Sequence, residues 1–137
     1  MEPSLASGVC LLVEESIYYI GGVSPEAVHS SKIFKFSNTW ESIEASPSIF
    51  TPKSGHCGFT LNSDIYIFGG QCESENLVFN TSHKLDLKNN TWTILPNLPQ
   101  PRHSSSCVIY NNQGLIYGGA NQEGVLDSLL IFNPGKK

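Results

Sequence analysis

Charge is scarce in this chain, and positive charge is especially scarce. Only 15% of the 137 residues are charged, the formal net charge is −4, and a single arginine, Arg102, is present. Because no cluster of basic residues occurs, a nucleic-acid backbone is an unsuitable partner. Enzymes that act on anionic substrates usually anchor a carboxylate with arginine, so the shortage of this residue also argues against that class.

Long apolar runs and paired cysteines are absent as well. No stretch approaches the length of a membrane span, and residues 1–5 do not resemble a charged n-region followed by an apolar h-region. We therefore expect a protein of the reducing cytoplasm. No C-x-x-C pair occurs, and we expect the cysteines to fill the core rather than form disulfides; they are Cys10, Cys57, Cys72 and Cys107.

Glycine pairs, by contrast, recur at a regular interval. Each follows a short run of β-branched and aromatic residues, as in Ile65–Gly70, and the second glycines are Gly22, Gly70 and Gly119. The spacings of 48 and 49 residues predict a repeated supersecondary unit, in which one copy stacks on the next.

Each unit is predicted to be a four-stranded antiparallel meander, because short alternating runs are separated by Gly, Asn, Ser and Pro. The predicted strands of the first unit are 7–13, 17–20, 32–36 and 39–43. Those of the second are 55–61, 65–68, a third ending at 83–87, and 91–95. The third unit supplies 104–110, 115–117 and 126–132, and a turn at 133–137 stands where a fourth strand would follow.

Together these motifs resemble kelch repeats. The resemblance covers nearly the whole chain and depends on the glycine pairs, on Asn-x-Trp or Asn-Thr-Trp after a turn, and on Pro-Lys or Pro-Arg opening a unit. The residues that carry this structural motif are Gly21, Gly22, Trp40, Gly69, Gly70, Trp92, Gly118 and Gly119. Unit two also matches with Lys53 and His56, whereas unit one has Leu5 and Gly8 at those positions and unit three has Ser105 in place of the histidine.

The resemblance implies an all-β, kelch-type β-propeller segment of four-stranded blades. The blades are expected at about 4–50, about 51–100 and about 101–137, the last lacking its fourth strand, so the ring has about 2.75 blades. Since closed propellers have about four to eight blades, three arrangements remain open. The chain is a piece of a longer protein, or it self-associates into a six-bladed ring, or another polypeptide completes the ring.

Loops on one face of such a segment are the predicted partner-binding surface. In a meander, the loops after strand two and those entering strand one emerge together, and propellers of this kind commonly recognise peptides there. Because the loops carry several acids, a partly basic partner segment is expected. The candidate partner-binding residues are Glu26, His29, Lys53, Gln71, Glu73, Glu75, Arg102, His103, Asn121 and Glu123.

No pattern typical of a catalytic, cofactor-binding or metal site occurs. The histidines lack the spacing of a metal-binding motif, and the glycines between 114 and 124 match no phosphate-binding loop. We therefore expect a non-enzymatic interaction module, acting as a scaffold or as a substrate-recognition subunit of a ubiquitin ligase. The alternatives are a kelch-type enzyme, such as a sialic-acid epimerase or a copper oxidase, or a purely architectural subunit.

Overall fold

Residues 4–133 are described by the computed structural model of this chain. Residues 1–3, which precede the first predicted blade, and nearly all of the turn predicted at 133–137 lie outside this range. Within it the chain is all-β, and its helical content is one 3₁₀ turn, Glu73–Glu75. The same residues contain no helix long and apolar enough to cross a membrane.

Sheet one is a four-stranded antiparallel meander. Its strands are β1 (Val9–Val13), β2 (Ser16–Ile20), β3 (Ile33–Phe36) and β4 (Trp40–Ile43), paired in that order. Tight turns join β1 to β2 and β3 to β4, whereas the connection between β2 and β3 is long. That connection begins at the first glycine pair, as the repeat predicts.

Sheet two repeats this order and adds a small hairpin. In chain order its segments are β5 (Cys57–Leu61), β6 (Asp64–Phe68), the hairpin β7 (Gln71–Cys72) and β8 (Leu77–Val78), then β9 (Ser82–Asp86) and β10 (Thr91–Leu95). The sheet order is β5-β6-β9-β10, and the β7–β8 hairpin stands apart within the long connection. Where the sequence predicts a loop at 71–76 that leads into the third strand, the structure places this hairpin.

Sheet three has three strands within the described residues. They are β11 (Ser106–Tyr110), β12 (Gln113–Tyr117) and β15 (Leu129–Phe132), and a second small hairpin lies between the last two, formed by β13 (Ala120–Asn121) and β14 (Gly124–Val125). Two four-stranded sheets and one three-stranded sheet confirm the predicted fold class, an incomplete all-β array whose sheets do not close into a ring.

Strand β6 explains how the sheets stack. Because side chains alternate between the two faces of a strand, Ile65 and Ile67 point into a first core shared with sheet one, and Tyr66 and Phe68 into a second core shared with sheet three. All four side chains are buried. Sheet two is therefore covered on both faces.

The two tryptophans occupy different surroundings. Trp92 on β10 is buried in the first core and stacks on Phe50, with ring centroids 4.5 Å apart and planes inclined by 7°. Trp40 on β4 is half-buried and contacts Phe36 of its own sheet, at 5.2 Å between centroids. The first arrangement fills the gap between two sheets.

One expectation about cysteine is corrected by the structure. Cys57 on β5 and Cys107 on β11 form a disulfide between sheets two and three, with their Cα atoms 5.9 Å apart, a separation typical of such bonds. Cys10 and Cys72 are free thiols. The expectation was wrong for this pair because the equivalent strands β5 and β11 of successive units lie next to each other and bring the two cysteines together.

Candidate partner-binding surface

Three long connections, 21–32, 69–81 and 118–128, form one face of the molecule. Each leaves the second strand of its sheet at a glycine pair, and strands of equivalent direction place all three on the same side. The segments entering β5 and β11 lie beside them, linked by the backbone bridges Ser30–Lys53, Ser54–Gln71 and His103–Ala120. We call this set of loops the loop face.

Lys53 is buried beneath the loop face. Its backbone bonds to the connection of sheet one, since the Gly22 N–H donates to its carbonyl at 2.8 Å and its own N–H donates to Ser30 O at 3.1 Å. Its ammonium lies 4.8 Å from the ring centroids of both Phe50 and Phe79. Burial lowers its pKa to about 8, because desolvation penalises the charged form.

Arg102 repeats this arrangement one unit later. The Gly70 N–H donates to its carbonyl at 2.8 Å, and its own N–H donates to Phe79 O, so its backbone is held by sheet two. Its guanidinium donates to Gly118 O at 2.9 Å and to Ser128 Oγ at 2.8 Å within the connection of sheet three. Each basic residue thus ties the connection of one unit to that of the next.

Because of this burial, Lys53 and Arg102 do not belong to the partner-binding set. Their side chains are 0% and 1% exposed, so neither is accessible to a partner. The prediction was wrong here because a basic residue in a loop was assumed to face solvent. The cost of burying these two cations is partly offset by two aromatic rings at Lys53 and by oxygen acceptors at Arg102.

The glycine pair allows this close packing. Gly70 has a φ of +107°, and a Cβ there would lie 3.0 Å from both His56 Cβ and Lys53 Cδ. Only glycine combines this backbone conformation with such a close approach. The pair is therefore part of the framework that holds the loop face.

Histidines add to the framework in sheet two. His56 Nε2–H donates to Ile20 O at 2.8 Å and so ties sheet two to the end of β2. Burial is the main reason that the pKa values of His56 and His83 are both lowered to about 4. In unit three Ser105 takes the position of the histidine, and its hydroxyl donates to Gly118 O at 3.0 Å instead.

The remaining predicted residues lie on the loop face, and they differ in exposure. Four glutamates are exposed, and four other side chains are half-buried. The exposed set is Glu26, Glu73, Glu75 and Glu123, and the half-buried set is His29, Gln71, His103 and Asn121. The structure thus brings eight of the ten predicted positions to one surface; whether they contact a partner stays a prediction.

Two of the half-buried residues organise the loops locally. Asn121 Nδ2–H donates to Pro101 O and its Oδ1 accepts the Glu123 N–H, both at 2.8 Å, which shapes the β13–β14 hairpin. Gln71 Nε2–H donates to Glu73 Oε1 at 3.2 Å. These contacts were missed because they join residues whose proximity depends on the hairpins.

No metal site accompanies this surface in the described part of the chain. Among residues 4–133, no group of three or more His, Cys, Asp or Glu side chains is placed to hold a metal ion. The chemistry available on the loop face is therefore that of carboxylates, amides and imidazoles arranged for hydrogen bonding and charge attraction.

Comparison with known proteins agrees with the repeat architecture. The family model of the KLHDC2/KLHL20/DRC7 Kelch-repeats domain matches residues 8–137. Kelch domain-containing protein 3 from Rattus norvegicus is 24% identical over 115 residues, covering 80% of this chain and 30% of the relative. Kelch-like protein 15 from Homo sapiens is 23% identical over 133 residues, covering 93% of this chain and 22% of the relative.

A relative from a nematode shows a similar level of identity. Spermatocyte protein spe-26 from Caenorhabditis elegans is 24% identical over 129 residues, covering 90% of this chain and 22% of the relative. The chain thus spans less than a third of the length of these curated relatives. With the family model matching all but the first seven residues, the chain belongs to the Kelch-repeat family.

Proposed function

We propose that this chain is a non-enzymatic protein–protein interaction module that binds a peptide or protein segment through the loop face. Kelch-repeat domains generally bind proteins. The observation that carries the proposal is the contrast between buried cations and exposed acids at this face. Lys53 and Arg102 fix the backbone from below, and the loops present carboxylates that lack a basic partner within residues 4–133.

The state of the only arginine supports a binding role over an enzymatic one. Enzymes that act on acidic sugars need cationic groups facing the substrate. In this chain the Arg102 guanidinium is buried and donates hydrogen bonds to Gly118 O and Ser128 Oγ. It is therefore poorly placed to anchor an anionic substrate.

Within this proposal, two cellular roles fit a rigid array with variable loops. One is substrate recognition for a ubiquitin ligase, and the other is a scaffold that holds a partner in a larger assembly. In each role the side chains of the loops determine binding specificity, and the sheets hold the loops in a fixed geometry.

The proposal is tested by selecting a displayed random-peptide library on the 137-residue chain. We expect enriched peptides that bind the wild-type chain and lose binding to the double variant Glu73→Lys/Glu75→Lys. The matched control is Glu14→Lys/Glu15→Lys, which makes the same charge change in the β1–β2 turn at the opposite end. Peptides that bind all three proteins equally, or no enrichment at all, would contradict the proposal.

A second role, as an architectural subunit, is favoured by the open faces of sheets one and three. Large apolar side chains are exposed there, at Leu12 and Ile17 on sheet one and at Val108, Tyr117 and Ile131 on sheet three. Exposed apolar faces of this kind associate. We propose that further blades cover them, from a second copy, another chain or another segment.

Light scattering during size-exclusion chromatography tests the second-copy arrangement. A stable species of twice 15.0 kDa that becomes a monomer in Ile131→Lys would support a ring built from two chains. A monodisperse monomer of the wild-type chain would exclude self-association, and the blades would then come from elsewhere.

A further inference from the structure

An apolar groove crosses the loop face between sheets one and two. It has a volume of about 430 Å³ and is lined by Val23, Pro25, Ala27 and His29 of the first connection and by Glu73 of the second. The groove is partly open to solvent in the described part of the chain. Its apolar lining suits a small aliphatic side chain.

A second groove lies on the other side of the 3₁₀ turn Glu73–Glu75. It has a volume of about 350 Å³, and its lining is mostly polar, including Gln71, His103, Asn121 and again Glu73. The Glu73 carboxylate therefore borders both grooves. An extended segment that occupied both would pass this carboxylate.

Unbalanced negative charge surrounds the two grooves. Glu26 and Glu75 are exposed in the same connections, and within residues 4–133 neither they nor Glu73 has a basic group at ion-pair distance. Most basic side chains of the described range are either buried or at the opposite end, near the short turns. The buried ones are Lys53 and Arg102, the distant ones are Lys35, Lys84 and Lys88, and Lys32 alone lies near the loop face.

His29 supplies a second, independent feature of the apolar groove. Both of its ring nitrogens are covered from solvent, and neither has a hydrogen-bond partner among the described residues. A covered imidazole nitrogen without a partner costs free energy, and a ring that turns toward the groove would relieve that cost by bonding to a polar group of a ligand. A peptide backbone carries such groups at every residue.

We infer that the two grooves together bind an extended peptide segment in which a small aliphatic residue is next to lysine or arginine. The inference depends on the proposed function and specifies its ligand. The aliphatic side chain enters the apolar groove, and the basic side chain pairs with Glu73, supported by the field of Glu26 and Glu75. The peptide backbone crosses the polar groove, where the Gln71 and Asn121 amides each keep donor and acceptor capacity beyond the bonds that they make within the loops.

The test uses a fluorescent peptide in which lysine and valine alternate, compared with the same peptide carrying glutamate for lysine. Binding to the full chain is followed by fluorescence anisotropy at low and at physiological salt. We expect the lysine peptide to bind more tightly than the glutamate peptide, and its affinity to fall as salt screens the carboxylates.

Three variants show whether the grooves are the site. Glu73→Lys should weaken binding of the lysine peptide by about five- to tenfold, because it replaces attraction by repulsion. Ser74 also lines the apolar groove, so Ser74→Trp, which fills the groove with a large ring, should weaken binding as well while leaving the net charge unchanged. Glu15→Lys makes the same charge change at the opposite end and should alter the affinity by less than about twofold, since the charge is screened over that distance.

The outcomes separate this inference from the proposed function. Equal binding of the two peptides, no binding, or equal weakening by Glu73→Lys and Glu15→Lys would overturn the inference. If library selection then still yields peptides that depend on the loop face, the interaction function stands with a ligand of different chemistry. If it yields none, both fail. Circular dichroism confirms that each variant is folded.

Discussion

Sheet two and sheet three have the same alternating sequence pattern, and yet their apolar residues differ in solvent exposure. In sheet two, both faces pack against a neighbour, so Ile65, Ile67 and Leu85 on one face are fully buried. In sheet three, one face packs on sheet two while Val108 and Ile131 on the other are more than half exposed. Whether an apolar side chain is buried in this array therefore depends on whether a neighbouring sheet covers its face. The local sequence only provides a face that is apolar enough to be covered.

The comparison is tested most directly by truncating one isoleucine in each sheet. Ile67→Ala removes a side chain that is 0% exposed and should lower the free energy of unfolding by about 2–5 kcal/mol. Ile131→Ala removes one that is 57% exposed and should cost less than about 0.5 kcal/mol. Urea unfolding followed by circular dichroism measures both.

Comparing the two isoleucine variants also shows whether the outer face of sheet three is exposed in solution. If Ile131→Ala destabilises the chain as much as Ile67→Ala, the outer face of sheet three is covered in solution, and the contrast between the sheets disappears. Repeating the Ile131→Ala measurement at several protein concentrations would show whether a second copy provides that cover.

Breaking the disulfide should weaken the attachment of sheet three to sheet two. Cys57 and Cys107 are separated by 50 residues, and closing a loop of this size typically stabilises a protein by about 2–4 kcal/mol. Adding a reductant should lower the unfolding midpoint and speed amide exchange in β11 more than in β1. The Cys57→Ala/Cys107→Ala variant should not respond to the reductant; a wild-type chain that is equally insensitive would contradict the bond.

Replacing Arg102 should loosen the connection of sheet three while leaving that of sheet one intact. Arg102→Met keeps the aliphatic stem and removes the donors to Gly118 O and Ser128 Oγ, at a cost of about 1–3 kcal/mol. Amide exchange should rise within 118–128 and stay unchanged within 21–32. Lys88→Met, at an exposed turn, is the matched control. Uniform acceleration across both connections would mean that Arg102 supports the whole array.

Acid should destabilise sheet two through its buried histidines. The pKa values of His56 and His83 are about 4 in the folded chain, below the unfolded value near 6.5. Between these limits the unfolded state binds more protons, so stability falls as pH decreases, by at most about 1.4 kcal/mol per pH unit for each histidine. Urea unfolding at pH 7 and pH 5 measures the effect, and His83→Leu should reduce it by about half. An unchanged slope in His83→Leu would contradict this assignment.

Strand positions were the part of the structure that local sequence could predict. The prediction for 91–95 coincides with β10, and the others differ from the observed strands by a few residues at their ends. Alternation between apolar and polar side chains is a property of neighbouring residues, so it can be detected without knowing the fold. The predicted association of each glycine pair with the end of a second strand has the same basis.

The state of Lys53 could not be predicted in this way. Its burial depends on Phe50 and on Phe79, and the position of Phe79 depends on the path of the long connection in sheet two, which local sequence does not show. Nor could the pairing of Cys57 with Cys107 be deduced, because it depends on how equivalent strands of two units align. The face on which the loop glutamates lie was predictable from the meander, since consecutive strands reverse direction.

The buried amine of Lys53 also makes this residue a reporter of motion between units. With a pKa near 8, part of the amine is uncharged at neutral pH and is therefore chemically reactive, although the surrounding rings shield it from reagents. An acylating reagent can modify it only while the contact between the connections of sheets one and two is open. The rate of that modification, followed by mass spectrometry, would thus measure how often neighbouring units separate in the native chain.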